Sequence, residues 1–177
     1  MHGVLLLDAI SAYRDGDSKR AILYSAISVA TVARTRLSEE YESLLRAGDV
    51  NGMLRIISLP QRDGTCAAKD PIYEYLDSKS EFRLLVHELA LYVLKRSLLI
   101  ENEPLYQEAM KLYRTRNKIV HQGELPAGNE ASCFTISDAG ALAAINCAIG
   151  VLKWFGTPDE HILPKGGFIR VKGVKLE

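Results

Sequence analysis

Residues 104–123 read PLYQEAMKLYRTRNKIVHQG, and the fold turns on how this run is read. It opens on proline, which suits a first helical turn, and closes on Gly123, a helix stop. Between them apolar residues recur at steps of three and four, the helical period. On a wheel at about 100° per residue, Tyr106, Ala109, Met110, Leu112, Tyr113, Ile119 and Val120 fill one arc. Gln107, Glu108, Lys111, Arg114, Thr115 and Lys118 fill the other. Arg116 and Asn117 fall inside the apolar arc, and His121 lies at its edge. An inward guanidinium requires an anion, a hydrogen-bonded partner or a wet cleft to offset its desolvation. The wheel therefore predicts that Arg116 and Asn117 point inward, toward a site.

Outward from this run the chain reads as helices and turns. Val4–Tyr13 is a short helix stopped at Asp15-Gly16-Asp17. Ser18 to Ala47 is the longest, with Ile22, Ala26, Val29, Ala33, Leu37 and Tyr41 in helical register and Gly48 as its stop. Val50–Leu59 is compatible with a further short helix, and Gln61–Pro71 with a long loop. Ser78 and Glu81 form a capping box for a helix reaching about Leu99. After a loop over Glu124–Ser137, Ser137 or Asp138 caps the last long helix, whose Ala139, Gly140, Ala141, Ala144, Ala148 and Gly150 are small. Small residues permit close approach, so this helix is expected at the centre or at a subunit contact. Residues 161–177 read as an extended tail. The expected fold is all-α, an up-and-down helical bundle over residues 1–160 with that tail appended.

Composition narrows the function. At 177 residues, 47% hydrophobic and 25% charged, the chain is an ordinary globular protein with one core. Lys and Arg total 22, as do Asp and Glu, so nucleic-acid contact is expected to be local or shared between subunits. Cys66, Cys133 and Cys147 have no metal-ligand spacing and read as reduced thiols in a cytoplasmic protein. No Gly-rich phosphate loop, G-x-S-x-G or H-E-x-x-H occurs. The apolar window Ala139–Leu152 is short for a membrane span, and no membrane partner is expected.

The chemistry-bearing residues are Arg116, Asn117 and His121. Asn117 and His121 are four apart, so the amide can orient the imidazole. His121 lies in the last turn, where the helix dipole favours its charged form. Arginine beside a protonatable histidine suits phosphate binding and acid–base work. An Arg116–carboxylate pair with another helix, and a histidine that merely caps, would account for the same residues. Arg83 and His87 are a weaker pair, read as a surface or interhelix group, and Glu39, Glu40 and Glu42 as a solvated face. The tyrosines sit mostly at core spacing; base stacking by one of them has no sequence support.

Arg116-Asn117-x-x-x-His121, late in a helix of an all-α chain, resembles the R-x4–6-H signature of the HEPN superfamily. The polar residue after the arginine matches, as does the order of helices from Ser18 to Gly156. The resemblance implies a homodimer paired through the motif helices and a metal-independent endoribonuclease without cofactors, of the kind found in defence and toxin–antitoxin systems. It implies single-stranded RNA or a nucleotide as ligand, and an antitoxin or regulatory protein as a further partner. His121 would be the acid–base group, Arg116 would stabilise charge on the phosphate, and Asn117 would orient the histidine or touch the phosphate. The alternative it leaves is a non-catalytic nucleotide-, RNA- or partner-binding helical module.

Overall fold

The structure, a computed structural model, describes residues 2–48, 82–122 and 132–158. The expected short helix at 50–59, the 61–71 loop, the Ser78–Glu81 capping box, Cys66 and the tail 161–177 lie outside the described residues. Within them the fold is all helical, with no strand. Helix α1 is His2–Arg14 and α2 is Ser18–Ala47. A π-helical turn, Leu84–Glu88, leads into α3, Leu89–Val93. Helices α4, Leu98–Glu101, α5, Glu103–Gln122, and α6, Asp138–Trp154, complete a helical bundle.

The long helices begin and end where local chemistry dictates. Asp17 accepts the Arg20 N–H at 2.9 Å and caps α2, while Gly48 ends it at φ +74°, a left-handed conformation that favours glycine. Ser137 caps α6 by accepting the Gly140 N–H at 3.2 Å. Asn102 accepts the Leu105 N–H at 3.1 Å at the start of α5.

One helix is shorter than its sequence suggests. The helix expected to reach Leu99 stops at Val93, because Lys95 takes a left-handed φ of 57° and Ser97 turns extended to cap α4. The Ser97 hydroxyl accepts the Ile100 N–H at 3.4 Å. A capping serine ahead of Leu98-Leu99-Ile100 thus starts a new helix.

Helix α2 packs on α1, α3, α5 and α6, and α6 packs in turn on α1, α2 and α5. Ala141, Ala144, Ala148, Val151 and Leu152 are fully buried there, against Ile22, Val29 and Leu37 of α2 within one continuous core. Each fully buried Leu or Val contributes about 1.5–3 kcal/mol. The small residues serve close approach. A Cβ on Gly140 would lie 2.0 Å from the Thr135 carbonyl oxygen, and one on Gly150 3.0 Å from Leu105 of α5. Ser25 and Ser28 are buried in α2 because their hydroxyls bond back to the carbonyls of Ala21 and Ser25, both at 2.8 Å. Among the described residues no helix is long and apolar enough to cross a membrane.

Candidate functional site

Helix α5 buries a ridge rather than a straight face. Tyr106, Ala109, Leu112, Thr115 and Ile119 are its buried residues. Steps of three turn the ridge back by about 60° each. It therefore winds from the side of Tyr106 to that of Thr115, and this corrects the straight-wheel expectation. Thr115, placed on the polar arc, is fully buried, whereas Val120, placed on the apolar arc, is 53% exposed. Thr115 can be buried because its hydroxyl donates to the Lys111 carbonyl at 2.8 Å and accepts the Phe134 N–H at 2.8 Å. That second bond ties the segment preceding α6 to α5. Lys111 stands 4.8 Å from the Phe134 ring centre on the same flank.

The winding ridge leaves the predicted site residues on the outer side of the last two turns. Arg116 and Asn117 are half-buried and His121 is exposed. The inward orientation expected for the first two is thus only partly realised. Arg116 Nη1 donates to Asn117 Oδ1 at 2.9 Å, and none of the described contacts of Asn117 reaches His121. Arg116 has no carboxylate partner among the described residues. The intrachain ion pair that would account for it as a packing residue is therefore missing there.

Charge is divided along α5. Glu103 and Glu108 lie in its first half; Arg114, Arg116, Lys118 and His121 lie in the second, with Lys111 just ahead of them and no acid between 109 and 122. The arrangement complements the helix dipole and makes this helix end locally cationic in a chain of zero net charge. Five residues of helix place Arg116 and His121 roughly 140° apart and about 7.5 Å along the axis. One copy of the chain therefore does not bring the two onto a single face. Asn117 stands between them, bonded to the first and about 40° round from the second.

Arg83 and His87, the weaker pair, are held by their neighbours. Arg83 pairs with Glu88, and His87 Nδ1 lies 2.7 Å from the Ser97 hydroxyl with its ring edge-on to Tyr106. Arg83 and His87 thus serve different partners. Burial pushes the Cys147 thiol up to about 12, with nearby Glu108 adding to the shift, so it is inert as a nucleophile. Among the described residues no three His, Cys, Asp or Glu side chains are grouped to hold a metal.

Sequence reasoning missed two features. One is Thr115, whose place between Leu112 and Ile119 at steps of three and four was the available signal. The other joins Arg96 and Glu101 to Trp154, 53 residues beyond Glu101, and no local spacing announces it. No family model, curated protein or solved structure matches the chain.

Proposed function

We propose that this chain is a HEPN-like protein, an up-and-down bundle whose α5 end forms half of an endoribonuclease site completed by a second copy. The observation that carries this reading is Arg116. It is half-buried, held by Asn117 and without a carboxylate among the described residues, in the last two turns of a helix that carries His121 near its end. A cation so placed is ready for a phosphate. Two copies meeting through α5 would bring the arginine of one toward the histidine of the other, which one helix alone cannot do. The exposed Val120 beside them gives such a contact apolar area.

In that site the 2′-oxygen of RNA bonds to phosphorus and the bond to the 5′-oxygen breaks. The proton lost from the 2′-hydroxyl is balanced by one gained at the leaving oxygen, with His121 as the acid–base group. Arg116 stabilises charge on the phosphate and Asn117 fixes the guanidinium. The products are a cyclic phosphate and a free 5′-hydroxyl.

The test is cleavage of single-stranded RNA by purified protein in EDTA, with end-group analysis. His121→Ala should lower the rate about 10²–10⁴-fold while the oligomer persists by light scattering. Undiminished cleavage by that variant refutes the assignment. The separation of Arg116 and His121 within one copy favours one other reading, a nucleotide- or RNA-binding module without turnover. It predicts binding that Arg116→Ala weakens, and no cleavage by the wild type.

A further inference from the structure

Beside Arg116 lies an aromatic pair that the proposed chemistry does not use. Tyr113 stacks on Phe82 with ring centres 5.2 Å apart and planes 17° from parallel. Phe82 is buried at 2% exposure, so it is a fixed backing for the tyrosine ring. Tyr113 itself is only half-buried, and its hydroxyl makes no hydrogen bond to the described residues. It precedes Arg116 by three positions and Asn117 by four, which sets all three on neighbouring turns of one helix flank, with Cβ atoms about 5–6 Å apart. Tyr106, the other tyrosine of α5, is 8% exposed and meets His87 edge-on, so it has no comparable surface.

A phosphate held at Arg116 has its own nucleobase one ribose away, a span matching one helical turn. An aromatic ring backed by a second ring presents a flat surface to such a base without first having to be ordered. We infer that Tyr113, backed by Phe82, is the stacking platform for the nucleobase adjoining the phosphate at Arg116. This deepens the ribonuclease reading and rests on it. It makes Tyr113 a positioning residue, selective for a base over a bare sugar-phosphate and tolerant of which base is present, because every base has a π-face.

The test uses two hexamers that cannot be cleaved. One is 2′-O-methyl hexaadenylate; the other is the 2′-O-methyl sugar-phosphate hexamer of equal charge without bases. The wild type is expected to bind the first about tenfold or more tighter, the range of a single stacked base. Tyr113→Leu should erase most of that preference while leaving the base-free hexamer bound as before, and Tyr113→Phe should restore it. Tyr113→Met replaces Tyr113→Leu if the latter does not fold. Equal binding of both hexamers by the wild type overturns the platform, as does an equal loss on both in the leucine or methionine variant. If the wild type binds neither hexamer, the RNA reading itself fails and the platform fails with it.

Discussion

Two arginines of this bundle, Arg96 and Arg116, show how one residue type is used in opposite ways. Arg96 directs Nε and Nη2 to the Glu101 carboxylate, the latter at 2.7 Å, and Nη1 to the Trp154 carbonyl at 3.0 Å. Its guanidinium carbon lies 5.1 Å from the Trp154 ring centre, and the indole N–H donates to the same carboxylate at 2.8 Å. All three of its nitrogens are matched, and the assembly ties α4 to the end of α6, where Arg36 also reaches the Phe155 carbonyl at 3.3 Å. Arg116 has a single described bond, to the amide of its own neighbour. A guanidinium offers five N–H donors. The first arginine is consumed by the fold, whereas the second has one bonded nitrogen among the described residues.

Exchanging each for alanine tests that contrast most directly. Arg116→Ala is expected to lower RNA cleavage about 10²–10³-fold, as for loss of one charge-stabilising donor, while stability stays within about 0.5 kcal/mol. Rate measurements and thermal melts on the same preparation separate the two effects. A stability loss of about 1 kcal/mol or more with unchanged RNA chemistry would make Arg116 a second Arg96.

The next effect concerns what holds the site side of α5 in place. Thr115→Val removes the acceptor of the Phe134 N–H and leaves that donor buried, a loss of about 1–3 kcal/mol. Thr115→Ser keeps the acceptor and loses one methyl group, about 0.8 kcal/mol by transfer alone. Denaturant titration should therefore rank wild type, serine and valine in that order. Valine at least as stable as serine would show that packing, not the hydrogen bond, fixes the segment before α6. Arg96→Ala follows at roughly 1 kcal/mol, since its ion pair with Glu101 is partly exposed and such pairs are weak. RNA binding should be unchanged in that variant.

How far these features were legible in the sequence depends on their range. The ends of α1, α2 and α6 were readable because Gly16, Gly48 and Ser137 act on their own neighbours. The break at Lys95–Ser97 was hidden, because Ser97 follows Lys95-Arg96 and precedes an apolar run, where a serine is as compatible with helix as with a cap. The residue types at the site were legible, and the order Arg116-Asn117-x-x-x-His121 carried the suggestion of phosphate chemistry. Their orientation was not. A wheel assumes one fixed inward direction, whereas the core presented to α5 shifts from the Tyr106 side to the Thr115 side along its length. Packing against α2, α6 and the Phe134 segment sets that direction. The Arg96 assembly needs α6 folded back beside α4, and short-range pattern holds nothing of it.

The smallest expected effect sharpens the comparison through pH. Hydrogen bonds from Arg96 first, and then from Trp154, hold the Glu101 carboxyl below its ordinary value of 4.5. A carboxyl depressed in the folded state stabilises above its unfolded value, and that contribution is lost as pH falls through the folded value. Glu101→Gln removes the charge but keeps an acceptor for both donors. Its melting temperature should therefore lie slightly below that of the wild type at pH 7, and the gap should close as pH drops below about 4.5. Added salt should narrow the gap at pH 7, because the Glu101 side chain is 37% exposed. Arg116→Ala supplies the counterpart. With no carboxylate paired to Arg116 among the described residues, its small stability difference should stay flat over the same acid range. A difference that also closed on acidification would reveal an acidic partner for Arg116 and remove the contrast between the two arginines.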